Sequence, residues 1–397
     1  MIKHLLKLVW NRKRANALIV GEIFISFLVL FAVLTGAITL YSNWREPIGF
    51  QWKDVWDVRM EFDIDARQKA DDELNATVMR MLDETRALPQ VAGAAISNTP
   101  PYSFSTSNGS RDINGKTNIS LTFDDVTDDY AQVMGMKVVR GRWFNATDDA
   151  AQNQPIVVDA NTARTIWGDA DPIGQKLEEE EGVFTRVVGV VEPYRKDGEV
   201  SMPMNMMFFR ISPTGKYGRL GSHILLRVHP GTDPQFEEQL VARLQQVAPK
   251  ISFRVRHMDQ MRTNTLRARL SPLVAGGIVG LFLISMVALG LTGVLWQNVT
   301  RRTREIGLRR AMGASGRRVN RQILIEVVLL TTIALLAGSV IVLQLPVLGV
   351  FALVTPFAFT AGFLTALATI YALTVLCGLY PSWLSSRLTP AEALRYE

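Results

Sequence analysis

The stretch Arg301-Arg302-Thr303-Arg304-Glu305-Ile306-Gly307-Leu308-Arg309-Arg310-Ala311-Met312-Gly313-Ala314 lies between two long apolar segments and carries five arginines. Each arginine at the centre of a bilayer costs at least ~2.5 kcal/mol, so the stretch is predicted to lie on a membrane face. The segments around it fix the rest of the layout. Residues 23–44, 271–300 and 327–386 are free of Lys, Arg, Asp and Glu. The last is too long for the roughly 20 residues of one spanning helix, and Pro346 and Pro356 divide it. Four transmembrane helices follow, at 17–41, 271–297, 322–345 and 357–381.

An even number of crossings puts both termini on one side, and basic residues decide which. Residues 1–16 carry five (Lys3, Lys7, Arg12, Lys13, Arg14), the 298–321 loop eight and the 382–397 tail two, against Glu305, Glu392 and Glu397 alone. By the positive-inside rule all three segments are cytoplasmic. Of 43 basic and 37 acidic residues, 28 and 32 then remain for the part between the first two helices. The net charge of +6 is therefore a topology signal. No basic stripe interleaved with aromatics is present, which makes a nucleic-acid footprint a weak reading.

The first 16 residues place Ile2, Leu5, Leu6, Val9 and Trp10 on one helical face with Lys3 and Lys7 opposite. That suits a helix lying in the membrane interface; the plainer alternative is a frayed basic terminus. The apolar run after them exceeds the roughly 7–15 residues of a signal-peptide core, so a retained span is expected. Cys377 is the single cysteine, so no internal disulfide can support the outer part.

From 42 to 270 the chain is polar with short apolar runs, and helical and alternating periods follow one another. The expected fold is a large α+β domain inserted between helices 1 and 2 of a membrane α-helical protein. One helical face is Leu74, Val78, Met81, Leu82, Thr85 and Leu88, and another Phe236, Leu240, Leu244 and Val247. Strands are predicted at 91–97, 119–123, 137–140, 155–159, 183–191, 204–210, 224–229 and 251–256. Asn98-Thr99-Pro100-Pro101 and Asn108-Gly109-Ser110 read as loops.

Candidate chemistry is sparse. A phosphate-cradling loop needs G-x-x-x-x-G-K-[ST], and the nearest approach, Gly109 to Gly115-Lys116-Thr117, has one residue too many and reads as a polar loop. No catalytic residue and no cofactor site is expected. His4, His223, His229 and His257 lack ligand spacing. The Glu178–Glu181 run reads as a solvated turn rather than a cation site, and no metal is expected.

The basic loop does carry a pattern. On a helix Leu308 and Met312 share a face with Ile306 nearby, while Gly307, Ala311 and Ala314 keep the adjoining surface shallow. Such a helix fits a groove on a partner; a loop that only sets topology would need its charge but not this order. Glu22 and Glu326 lie inside apolar stretches, within about two turns of basic clusters at a 1.5 Å rise. Snorkelling, or pairing with Arg14 or Arg321, is the expected role ahead of a proton or substrate site. Gly276 and Gly280, with Gly277 and Ser285 near them, form a small-residue face for a second helix, from this or another subunit.

The residues Thr303-Arg304-Glu305-Ile306-Gly307-Leu308-Arg309-Arg310-Ala311-Met312-Gly313-Ala314 resemble the cytoplasmic loop of the MacB/FtsX-like permeases of ABC transporters. Further pieces of the chain resemble the same group. They are Asp129-Tyr130 with Val133-Met134-Gly135-Met136, Gly141-Arg142-Trp143-Phe144, Pro155-Ile156-Val157-Val158, Asp171-Pro172-Ile173-Gly174-Gln175, Val187-Val188-Gly189-Val190-Val191 and Thr389-Pro390-Ala391-Glu392-Ala393-Leu394-Arg395. Each is weak alone; their order and their position between these membrane helices make the resemblance specific.

The resemblance implies a permease without a fused ATPase, in the inner (cytoplasmic) membrane, whose periplasmic domain ends in a stalk before residue 271. It implies that Arg304, Glu305, Ile306, Gly307, Leu308, Arg309, Arg310, Ala311, Met312 and Gly313 dock a cytoplasmic ABC ATPase dimer, which would bind ATP and Mg. A second copy or a paralogous permease would complete the unit, with membrane lipid around it, and a periplasmic adaptor and outer-membrane channel are further candidate partners. Export of a periplasmic substrate is the leading function; lipoprotein extraction and FtsX-like control of a cell-wall hydrolase are the alternatives. The outer domain is larger than the FtsX type carries.

Overall fold

A computed structural model describes residues 13–62, 72–113, 116–180, 183–213, 221–301, 316–350 and 354–387. The chain divides into two compact units, 1–42 with 270–397, and 43–269. The expected interfacial helix lies outside the described residues except for its last four, whose side chains are not described.

The first unit is helical. Helices α1 (Lys13–Trp44), α6 (Met258–Arg301), α7 (Gly316–Gln344) and α8 (Pro356–Arg387) each contain a span long and apolar enough to cross a membrane. Within lipid there is no hydrophobic drive between helices, so close approach must come from small residues and shape. The α1 contacts follow that rule. A Cβ on Gly338 would sit 2.6 Å from the Phe27 ring, and one on Gly362 would overlap Thr35 Oγ1, so α7 and α8 both need glycine where α1 passes. Phe31 meets Phe359 edge to face at 5.3 Å. Between α7 and α8, Thr331 and Thr374 share a hydrogen bond of 3.1 Å, as do Thr332 and the Tyr371 hydroxyl.

The second unit is built on one mixed sheet. Its strands are β1 (Val55–Glu61), β2 (Val91–Ser97), β3 (Ser107–Ile113), β4 (Lys116–Val126), β5 (Val138–Gly141), β6 (Gln154–Asp159), β7 (Lys176–Glu180), β8 (Val183–Val191), β9 (Met206–Arg210), β10 (His223–Val228) and β11 (Ser252–His257). The order is β11-β1-β10-β2-β4-β9-β6-β8-β5, with β3 on β4 and β7 on β8. Pairs β4/β9 and β6/β8 are parallel and the rest antiparallel.

Two lobes emerge. In the first, β11-β1-β10-β2, alternate residues Trp56, Val58 and Met60 face a core closed by α2 (Asp72–Arg86) and α5 (Phe236–Val247) through Val78, Met81, Leu82, Leu240 and Leu244. In the second, Ile156, Val158, Val187 and Val190 face α4 (Ala160–Trp167), whose N-cap Asp159 accepts from Thr162 N. A third core, with Tyr130, Tyr194, Phe208, Ala95 and Leu225, draws on strands of both lobes.

Three local expectations are corrected. Asn108-Gly109-Ser110 is not a loop but the start of β3, so the Gly109–Thr117 segment forms a hairpin with β4, apart from residues 114–115, which lie outside the described residues. The polarity of β3 reflects exposure along the strand, and at Gly109 the Phe123 ring lies so close over the backbone that a Cβ would stand 3.0 Å from it. The Glu178–Glu180 run is the strand β7, held by β8 backbone pairs such as Glu178 with Phe184; Glu181 is outside the described residues. Strand β1 has no counterpart in the expected set.

Candidate coupling and transmission site

The predicted docking residues Arg304 to Gly313 lie outside the described residues. The other singled-out membrane residues are described. Gly276 and Gly280 face α1: a Cβ would lie 3.1 Å from Val33 on the first and 4.0 Å from Val29 on the second. These two glycines thus pack within the subunit, whereas Gly277 has nothing within 4 Å of its Cβ position and Ser285 is exposed. Glu22 lays its carboxylate against Gly290, where a Cβ would stand 2.9 Å from Oε2. Glu326 is half-buried next to Val327, which joins the apolar core of the helices.

A second site was not signalled by any motif. The segment Glu192-Pro193-Tyr194-Arg195-Lys196-Asp197-Gly198-Glu199-Val200-Ser201 follows β8 and gathers the last residues of α1 and the first turns of α6. Arg195 is 2% exposed. Its Nη1 donates to the Asn43 carbonyl at 2.6 Å and the Glu46 carbonyl at 3.3 Å, and its Nη2 to the carbonyls of Glu199 and Ser201. A guanidinium with several fixed donors suits a cage of carbonyls. Burial pulls its pKa down, opposed by the charges of Glu46 and Glu199.

The neighbouring residues reach α6. Glu199 accepts from Arg262 Nε at 2.6 Å and from the Tyr102 hydroxyl at 3.3 Å, and Asp197 pairs with Arg269. Arg262 also lies over the Trp52 ring at 4.6 Å. Thr265 donates to the Tyr102 carbonyl at 3.1 Å. Lys196, fully buried, donates to the carbonyls of Ser103 and Ser105 at 2.9 and 2.7 Å. Burial lowers its pKa, with Asp197 and Asp124 acting the other way. Burial first, and Glu199 second, push the Tyr102 hydroxyl pKa up, so it stays a neutral donor.

The turn depends on glycine. Gly198 has φ +82°, in the left-handed region, and a Cβ there would overlap the Tyr102 ring. Chemically this is a clamp. Its residues present no arrangement of nucleophile and base among the described residues; they fix the ends of two helices to one loop of the sheet through ion pairs and carbonyl contacts. The available sequence signal is the Lys196-Asp197-Gly198 turn, which marks a bend but not burial.

Residues 23–244 match the MacB-like periplasmic core domain, and residues 277–390 the FtsX-like permease C-terminal domain. Among curated relatives, the macrolide export ATP-binding/permease protein MacB of Bordetella avium (strain 197N) is 29% identical over 300 residues, covering 70% of this chain and 44% of that protein. The protein of the same description from Chlorobaculum tepidum is 28% identical over 298 residues, with 70% and 44% covered. The chain therefore spans less than half the length of these relatives. Solved structures with a likeness include the periplasmic region of MacB from Actinobacillus actinomycetemcomitans, at TM-score 0.37 and 16% identity, covering 56% of this chain and 96% of that one. The extracellular domain of the noncanonic ABC-type transporter YknZ from Gram-positive bacteria has TM-score 0.36 and 13% identity, covering 51% and 99%. The family matches, set on four long apolar helices with a mixed-sheet domain between the first and second, make this chain a member of the MacB/FtsX-like ABC transporter permeases, a multi-pass membrane protein with a periplasmic domain.

Proposed function

We propose that the protein is the permease of a mechanotransmission ABC transporter of the inner membrane, driven by ATP hydrolysis on a separate cytoplasmic ATPase, and that it exports a periplasmic substrate. Both termini and the 302–315 loop are cytoplasmic in this reading. Nucleotide-driven closure of the ATPases pushes on that loop, α6 carries the displacement outward, and the Arg195–Glu199 clamp passes it to the periplasmic domain. Export is favoured because the curated relatives are described as macrolide export proteins; the substrate of this chain is not thereby a macrolide. A periplasmic adaptor and a second permease chain would complete the assembly.

The observation that carries the reading is the FtsX-like match over 277–390, which encloses the basic stretch that includes Leu308 and Met312 between two spanning helices. Leu308→Asp or Met312→Asp should detach the ATPase while the chain still inserts and its outer domain still folds. Burying an unpaired carboxylate in an apolar groove costs several kcal/mol, and each ~1.4 kcal/mol is tenfold in affinity. Co-purification of the ATPase is the measurement. Arg317→Ala serves as the control and should leave recovery near normal; undiminished recovery with both aspartate variants would mean that the loop only sets topology.

A further inference from the structure

The face of the first lobe opposite α2 and α5 carries the four-residue helix Tyr130–Val133 against β2 and β10, and the side chains of that face form two cross-strand rows. Antiparallel register places Arg254, Arg59, His223 and Ser97 side by side, and next to them Arg256, Asp57, Leu225 and Ala95. Directly opposed residues project to the same face. The first row therefore sets the like charges of Arg254 and Arg59 directly opposite each other, an unfavourable pair.

Among the described residues, the acids of this face partner Arg254 and Arg256 but not Arg59. Asp57, fully buried, accepts from Arg256 Nη2 at 2.5 Å and from His223 Nδ1 at 2.7 Å. Glu61 is met by Arg254 at 3.3 Å. Arg59 is exposed and has no ion pair or hydrogen bond among the described residues.

A cavity of about 430 Å³ opens over this face, lined by Arg59, Glu61, His223, Arg256, Ser105, Ser222 and Phe104 among others. Its volume falls within the ~300–1,000 Å³ of small-molecule sites. His223 is 5% exposed. With Nδ1–H given to Asp57, its Nε2 is the ring nitrogen left to the cavity, and no described residue takes it. Asp57 thus fixes the ring's orientation, and Nε2 can donate to an anion when the ring carries both protons. Phe104, 76% exposed, offers an apolar surface at the rim. Of the charged groups in the lining, Arg256 is paired with Asp57 and Glu61 with Arg254, which leaves Arg59 as the cation that can meet an anion.

We propose that this cavity binds a small organic anion, a soluble carboxylate or phosphate ester, with Arg59 as its ion partner and, as hydrogen-bond donors, the Ser222 hydroxyl and the Nε2–H that His223 carries when its ring is doubly protonated. The site is independent of the ATPase reading above. Asn98, at the junction of the two lobes, is also in the lining, so an occupant lies beside that junction.

The test uses the full chain in nanodiscs of zwitterionic lipid, with phenyl phosphate and benzoate as probes and benzyl alcohol as the uncharged control. Calorimetry should show saturable binding of one or both anions and none of the alcohol. Arg59→Ala should weaken binding at least about tenfold, the scale of a charge-assisted pair, whereas Arg140→Ala, on the other lobe, should not. Since Arg59 is exposed and uncommitted, its variant should unfold at the wild-type midpoint. In ¹⁵N-histidine-labelled protein, the His223 ring signal, identified by its loss in His223→Gln, should shift on saturation. The proposal fails if neither anion saturates, if Arg59→Ala binds as the wild type does, or if benzyl alcohol binds equally well.

Discussion

Within the first lobe each strand meets its neighbour along five or six positions, as β1 does with β10 and β11, whereas β2 meets β4 only at Ser97 and Val126. The two joints hold by different means. The lobe is a ladder over an apolar core. The seam has almost no ladder and is closed by polar side chains: Asp124, 1% exposed, accepts from Ser97 Oγ at 2.7 Å and from the amides of Asn98 and Thr99 at 2.9 Å. Thr127 Oγ1 accepts from the Ile96 amide at 3.0 Å. Beside the seam, the buried Arg210 of β9 binds Asp128 through Nε and Nη2 and Asp149 through Nη1 at 2.6–2.9 Å. Where backbone pairing runs out, buried ionisable groups take over, and stability there becomes sensitive to single side chains and to pH.

The largest effect should come from Arg210→Met. Removing one partner of a buried charge network costs ~3–5 kcal/mol, because the carboxylates left behind lose their counter-charge. Asp128 and Asp149 are only partly exposed, so chemical unfolding of the outer domain, followed by tryptophan fluorescence, should fall by an amount in that range. A loss below ~1 kcal/mol would show that the seam is carried by packing instead.

A smaller effect sharpens the same contrast. Burial pushes the Asp124 carboxyl up to about 6 from 3.8, despite the hydrogen bonds from Ser97, Thr99 and Asn98 that act against it. The folded state therefore holds the proton more tightly than the unfolded chain. The associated stability is full below pH ~4 and is lost as pH rises through about 6, for a total of at most ~3 kcal/mol. Asp124→Asn, neutral throughout, should remove this slope between about pH 4 and 7, and unfolding midpoints at the two ends of that window measure it. Equal slopes in wild type and variant would contradict the assignment.

Much of the architecture was legible because lipid imposes a strict rule. Uncharged runs of membrane length, broken at Pro346–Pro356, had one physical solution, and strands such as Val91–Ser97 and Val183–Val191 announced themselves by β-branched and small residues between turns. Strand β1 did not, since Asp57 and Arg59 interrupt its apolar pattern; both belong to a charged face that only the neighbouring strands explain. The Arg195–Glu199 segment reads locally as a solvated turn. Its burial comes from carbonyls at Asn43, Ser103 and Ser201, and partners that far apart in sequence leave no local period. The anion cavity is hidden for the same reason, as Arg59, Ser105 and His223 meet only in the folded sheet.

The central claim is that the Arg195–Glu199 clamp fixes the first turns of α6 to the periplasmic domain and carries ATP-driven displacement. Hydrogen–deuterium exchange over residues 258–270, in the permease reconstituted with its ATPase, tests it most directly. The account predicts slow exchange that changes on nucleotide binding in the wild type, and fast, nucleotide-insensitive exchange in the Asp197→Ala/Glu199→Ala double variant. Exchange in the double variant that matches the wild type, with and without ATP, would contradict it.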